Sequence, residues 1–103
     1  MIVNLTGHNL FIYDEDGNLV LAIQQGPIAR IANERVKIGM SEGVPLYETE
    51  LGEPEGLPEP QPGTIYVVSG LFRSQHDRPD LWQPGRLLRD KQGCVVGCVG
   101  LSR

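Results

Sequence analysis

The chain has 103 residues, the length of a single domain, and its 40% hydrophobic and 21% charged residues exclude disorder throughout. Its net charge of −4 argues against general nucleic-acid binding, which depends on neutralising many phosphates. No apolar run approaches the roughly 18 residues of a membrane helix, and residues 1–6 lack the basic start of a signal peptide. We therefore expect a cytoplasmic protein with neither a membrane nor an extended nucleic acid as its partner.

The first apolar segments predict short strands separated by turns. Residues 9–13 and 19–23 flank an Asp-Gly turn, a pattern that predicts a β-hairpin. Residues 28–32 follow a Gly-Pro turn and predict a third strand. Alternation along that strand places Arg30 beside Ile28, which indicates an exposed face that carries one isoleucine.

Two further strands are predicted at residues 36–38 and 44–51, with a glycine-containing turn between them. In the second, Leu46, Glu48 and Glu50 alternate with Tyr47, Thr49 and Leu51. This alternation predicts a strand with one buried and one wet face. The five glutamates between residues 48 and 59 have no basic residue among them and indicate a solvated edge.

Residues 56–63 form an acidic, proline-rich loop that leads into the most strand-like segment of the chain. Because prolines restrict the backbone, we expect a fixed loop, beside which a binding site could be built. Residues 64–68 are apolar on both faces and predict a central, buried strand. Ser69 predicts the N-cap of a short helix that ends near residue 76, with a simple turn as the alternative.

Residues 94–101 predict the closing strand, whose glycines indicate a bulge or the close approach of a neighbouring backbone. Cys94 and Cys98 would lie too far apart along a strand to form a disulfide. We expect both on one face as small buried apolar groups, with a reactive or metal-binding role as the alternative. The elements together predict one domain over residues 1–103. We expect it to be all-β, a small antiparallel barrel or sandwich with at most one short helix.

The candidate site residues are mainly cationic and aromatic. Guanidinium groups bind phosphate or carboxylate through paired hydrogen bonds, and aromatic faces stack on bases. The alternative is that the arginines form ion pairs with nearby aspartates and that His8 bonds to a neighbouring turn. The predicted ligand-binding residues are His8, Arg30, Tyr66, Ser69, Arg78, Asp80 and Arg89. We predict no catalytic residue, no metal site and no cofactor.

Five motifs are spread over most of the chain: Asn4-Leu5-Thr6-x-His8, Ala29-Arg30, Gly56-Leu57-Pro58-x-Pro60-x-x-Gly63-Thr64-x-Tyr66-x-Val68-Ser69, Arg78-x-Asp80 and Arg89-Asp90-x-x-Gly93. With these motifs the chain resembles a family of small proteins of bacteriophages and bacterial genomes. Members of that family usually have proline at the position of Gly7. The resemblance implies a phage or mobile-element origin, and hence the host cytoplasm, but no defined activity.

These features predict a non-catalytic small-ligand binder of phage type. Such a protein would sequester a nucleotide-like immune signalling molecule, blunt a bacterial defence and form a homo-oligomer. The alternative is an interaction protein, either a virion component or an inhibitor that docks on a host protein. A third hypothesis is a small hydrolase in which His8 acts with Ser69 and Asp80.

Overall fold

The computed structural model describes residues 1–103 and contains eight strands and one short helix. The elements are β1 (Ile2–Asn4), β2 (Leu10–Tyr13), β3 (Leu19–Ile23), β4 (Arg30–Ser41), β5 (Val44–Glu55), β6 (Ile65–Val67), α1 (Gly70–Gln75), β7 (Leu81–Arg89) and β8 (Val95–Ser102). The all-β prediction with one short helix is confirmed. The predicted hairpin at residues 9–23 is also confirmed, as β2 and β3 pair antiparallel.

Six of the strands form one sheet, in the order β1-β6-β7-β8-β2-β3, which curls into a nearly closed barrel. Its pairing is mixed. The pairs β1–β6, β6–β7 and β2–β8 are parallel, whereas β7–β8 and β2–β3 are antiparallel. Parallel neighbours require long connections, and residues 5–64 between β1 and β6 provide one of them.

The core consists of two hydrophobic clusters on either side of β6. Tyr66 and Val68 belong to the first cluster, together with Phe72 and Leu81, and Val67 belongs to the second. Because successive side chains of a strand point to opposite faces, β6 is buried on both sides. The predicted central strand is therefore confirmed.

The short helix begins as the sequence predicts. The Ser69 hydroxyl accepts a hydrogen bond of 3.1 Å from the backbone N–H of Phe72, and His76 closes the helix at its other end. Phe72 then packs into the first cluster. The N-cap and one buried aromatic side chain thus fix this six-residue helix on the barrel.

The closing strand β8 contains the close approach that its glycines predict. A Cβ atom on Gly97 would lie 2.6 Å from the Tyr13 ring and 3.0 Å from the backbone oxygen of Phe11. Cys98 is buried in the second cluster, and both cysteines are free. The prediction that Cys94 is buried is wrong, since this residue is exposed. It lies in the turn before β8, where its N–H donates to the Asp90 carboxylate over 3.0 Å.

Strands β4 and β5 pair only with each other and form a separate two-stranded sheet, which we call the arm (residues 30–55). The strands predicted at residues 28–32 and 36–38 are joined in one continuous strand, β4, which begins at Arg30, whereas Ile28 makes only an isolated bridge to Thr6. Segment 44–51 contradicts the prediction of one buried face, because no other element covers the arm and both its faces are exposed. At the tip, Glu42 and Gly43 have φ values of 50° and 79°, which is the type I′ turn of a tight hairpin.

The arm makes the molecule elongated. The radius of gyration is 17.1 Å, whereas a compact domain of this length has about 13 Å. The arm is anchored only at its base, where Ala29 is buried and Ile31 and Leu57 pack against the first cluster. Everything beyond that base extends into solvent.

Candidate functional site

The arm is the most exposed apolar surface of the protein. Every residue from 32 to 53 is exposed. Seven large hydrophobic side chains in this segment are 38% to 61% exposed: Val36, Ile38, Met40, Val44, Leu46, Tyr47 and Leu51. Monomeric soluble proteins rarely display so many together, and such surfaces mark interaction sites.

The register of the arm separates its charges onto two faces. Glu34 pairs with Glu50 and Val36 pairs with Glu48, so three carboxylates lie on one face, which we call the acidic face. Leu46 alternates with Glu48 and lies there too. Two like charges directly opposite each other destabilise a hairpin, and no cation on this face offsets Glu34 and Glu50.

The other face of the arm carries cations. Arg35 pairs with Thr49, and Lys37 pairs with Tyr47. The Arg35 guanidinium lies 4.5 Å from the centre of the Tyr47 ring, in a cation–π contact. The arm thus presents opposite charges on opposite faces, with apolar side chains on each.

A second apolar surface lies on the barrel, where the first half of β8 diverges from β2. It is a groove of about 700 Å³, which we call the β2–β8 groove. His8 and Asn9 are the polar side chains that line it. The apolar lining consists of Leu10, Phe11, Leu87, Val95, Val96 and Cys98. Burial raises the pKa of the Cys98 thiol, so this group stays protonated at neutral pH.

Two of the predicted ligand-binding residues lie at this groove. His8 lines it, and its backbone oxygen accepts a hydrogen bond of 2.7 Å from the Asn4 side chain. Arg89 is the cross-strand partner of Val95, so its side chain lies beside a groove residue. Its guanidinium also donates to the backbone oxygen of Gly93 over 2.9 Å.

Three other predicted residues form a separate cluster under the proline loop. Arg78 donates to both carboxylate oxygens of Asp80, at 2.6 and 2.9 Å, and to the backbone oxygen of Pro58 at 2.9 Å. The Arg78 guanidinium lies 5.7 Å from the Tyr66 ring, whose hydroxyl donates to the backbone oxygen of Glu59. These hydrogen bonds hold the proline loop against the barrel, as expected for a loop with a fixed conformation.

The remaining predicted residues lie elsewhere. Arg30 forms an exposed ion pair of 3.5 Å with Glu55 at the base of the arm, and Ser69 caps α1. The seven residues therefore occupy four places. The groups of the hydrolase hypothesis are not joined, because His8, Ser69 and Asp80 make no hydrogen bonds to one another and the last two are engaged with other partners.

The arm surface was missed from the sequence. The useful signal was the spread of apolar residues over both alternating sets of β5, since Leu46 falls in one set and Tyr47 and Leu51 fall in the other. A strand with apolar residues on both faces is either buried on both sides within its own chain or projects from it and is covered by another molecule.

The single helix is too short and too polar to cross a membrane. No group of three or more His, Cys, Asp or Glu side chains is arranged to hold a metal ion. No known protein family, curated protein or solved structure matches the chain. The resemblance to phage-associated proteins therefore stays a prediction, and the arm and the β2–β8 groove are the features that bear on function.

Proposed function

We propose that this protein is a non-catalytic interaction protein that binds a protein partner through the arm. The observation that carries the proposal is the exposure of seven large hydrophobic side chains on a hairpin that its own body leaves uncovered. Covering apolar surface stabilises a complex by about 25 cal/mol per Å². Along residues 32–53 the free chain leaves much of this surface exposed, whereas a bound partner would cover it.

The rigidity of the arm supports the same function. Its strands pair from Arg30 with Glu55 to Ser41 with Val44 and close in a type I′ turn. A hairpin that is already formed loses little conformational entropy on binding. The acidic face suits a basic surface on the partner. With the phage resemblance, this favours a virion component or an inhibitor that docks on a host protein.

The test compares three tagged proteins: wild type, Leu46→Glu on the acidic face, and Leu71→Glu as the control. Leu71 is 70% exposed on α1, outside the arm, so its substitution makes the same chemical change on another surface. We expect wild type and the control to retain a stoichiometric protein partner on purification, whether a second copy or another protein, and Leu46→Glu to lose it. Equal retention by all three proteins would refute a role for the arm.

Small-ligand binding is the second candidate, and the β2–β8 groove favours it. Ligand pockets are mostly apolar with a few polar groups, and this groove has Phe11 for stacking, His8 at its wall and Arg89 beside it. Of the three arginines predicted to bind a nucleotide-like signalling molecule, only Arg89 lies at the groove, since Arg30 and Arg78 lie elsewhere. This is why the candidate ranks second.

Mass spectrometry of the supernatant after denaturation tests the second candidate. The protein is purified from bacteria with and without an active nucleotide-signalling system. Release of a stoichiometric nucleotide, lost in a Val96→Glu variant of the groove, would establish sequestration. An empty supernatant in both cases, repeated after candidate nucleotides are added, would dismiss it.

A further inference from the structure

The arm and the last two strands of the barrel carry equal and opposite charges. Residues 30–55 contain three basic and six acidic groups, a balance of −3. Residues 81–103, which form β7 and β8, contain four basic groups and one acidic group, a balance of +3. Opposite potentials on two surfaces guide their association and fix its orientation.

The apolar parts of the same two surfaces are also complementary. On the acidic face, Val36 and Leu46 are exposed beside Glu48 and Glu50. In the groove, Val95 and Val96 are exposed, and Arg89 and Lys91 lie at the turn that leads into them. Each surface is thus an apolar strip bordered by charge, net negative on the arm and net positive at the groove, where Arg89 and Lys91 outnumber Asp90.

The arm of a given molecule does not fill its own groove. No arm residue lines the groove, and neither arm strand pairs with a strand of the barrel. A hairpin paired along its whole length cannot fold back on itself. The two complementary surfaces of one chain can therefore meet only between copies.

We propose that the arm of one copy lies across the β2–β8 groove of a second copy, with its acidic face towards the groove, and that the second copy returns the contact. This inference rests on the proposed function and names a second copy as the partner. Because each copy places its arm on the groove of the other, the two contacts are related by a two-fold axis. Both arms and both grooves are then occupied, and assembly stops at a dimer.

The area is adequate for such a dimer. The exposed part of the arm is about 33 Å long and about 10 Å wide, from the strand rise and spacing. Two arm faces of that size, each against the groove and the barrel surface beside it, would bury about 1,300 Å² in total, within the range of specific, stable interfaces. A single such contact would bury half as much, so the reciprocal second contact is needed to reach this range.

Charge reversal gives the decisive test, by sedimentation velocity on the full chain. One variant carries Glu48→Arg and Glu50→Arg on the arm, and the other carries Arg89→Glu and Lys91→Glu beside the groove. Each variant alone places like charges at both contacts, so we expect its dimer to weaken at least about tenfold. Mixed together, the two variants form a dimer in which both contacts are complementary, and we expect dimerisation to return.

Substitutions at apolar positions of the two surfaces provide a second test, with Leu71→Glu as the control. Leu46→Glu on the arm and Val96→Glu in the groove should each weaken the wild-type dimer, whereas Leu71→Glu on α1 should not. Raising the salt concentration should weaken the wild-type dimer by screening its charges. Circular dichroism would check that each variant is folded, and we expect the Leu46→Glu variant to keep the barrel intact because Leu46 is exposed on the arm.

Two results would overturn the inference: wild-type protein that remains monomeric at about 100 μM, or a mixture of the two reversed variants that stays monomeric. A monomer that still retains another protein through Leu46 would leave the proposed function standing and refute only the second copy as partner. A dimer unaffected by both Leu46→Glu and Val96→Glu would refute both.

Discussion

At the scale of single residues, Arg78 shows how one side chain fixes a loop. Its guanidinium joins Asp80, the backbone oxygen of Pro58 and the face of Tyr66, and both members of the ion pair are mostly buried. The planar fork of arginine makes paired hydrogen bonds that the single ammonium of lysine cannot reproduce. The role supported by these contacts is structural, and a ligand role for Arg78 would compete with it.

We therefore expect Arg78→Lys to lower the free energy of unfolding by about 1–3 kcal/mol, because charged hydrogen bonds are lost from a mostly buried site. Urea denaturation measures this change. Arg30→Lys is the matched control, since the Arg30 pair with Glu55 is exposed and such pairs contribute about 0–1 kcal/mol. Equal effects of the two substitutions would show that Arg78 does not hold the loop.

Gly85 is required for close packing between β7 and β8. A Cβ atom there would overlap the backbone oxygen of Val99 and lie 2.9 Å from that of Gly100. Because backbone atoms cannot move aside as a flexible side chain can, we expect Gly85→Ala to destabilise the protein by about 2 kcal/mol or more.

The control for Gly85→Ala is Gly39→Ala in the arm. No atom lies within 4 Å of the added methyl group, and Gly39 is absent from the positive-φ glycines. Its effect should stay within about 0.5 kcal/mol, as for surface changes in general. Thermal unfolding of both variants gives the comparison, and similar midpoints would contradict the packing described for β7 and β8.

The two cysteines should differ in reactivity. Cys94 is exposed, whereas Cys98 is buried and its pKa is raised. Since the thiolate is the reactive form, we expect a thiol reagent at pH 8 to label Cys94 quickly and Cys98 only after denaturation. Mass spectrometry counts the labels, and two rapid labels on the native protein would show that the groove opens to its base.

The raised pKa also sets a pH dependence. The unfolded thiol loses its proton at a lower pH than the folded one, so the stabilising contribution of Cys98 is complete below the unfolded pKa. It is lost as the pH rises through the folded pKa. Stability should thus fall at alkaline pH by less in Cys98→Ala than in wild type.

At the scale of elements, the sequence predicts those features that depend on residues close together in the chain. The Asp-Gly turn predicts β2 and β3, the two-sided apolar segment predicts β6, and Ser69 predicts the start of α1. Alternation in residues 44–51 correctly grouped Leu46 with Glu48 and Glu50. It could not show whether anything packs on the opposite face, because burial depends on elements distant in the sequence.

The candidate site was predictable only in part for the same reason. His8 and Arg89 are 81 positions apart and lie at one groove because β2 and β8 are neighbours in the sheet. Arg30 and Arg78 lie elsewhere, although their chemistry is the same. Strand order decides which residues converge, and a parallel pairing such as β2 with β8 leaves no turn signal between its strands.

At the scale of the whole molecule, the proposed contact with other proteins rests on an extended shape and a divided charge. The molecule measures 54 × 39 × 21 Å, and its uncovered arm is acidic, whereas the C-terminal strands of the barrel are basic. The arm adds nothing to the two hydrophobic clusters beyond its base. The exposed apolar surface of the arm is unfavourable in water, and this free-energy cost is offset only if a partner covers the arm.

Hydrogen–deuterium exchange at increasing concentrations of purified protein tests this account most directly. As the protein passes from dilute monomer to dimer, we expect slower exchange in peptides from the arm (residues 32–53) and from the β8 side of the groove (residues 95–98). The Leu46→Glu variant should show no such change. Exchange in the arm of wild-type protein that is fast and equal at all concentrations, and identical to that of Leu46→Glu, would contradict the account.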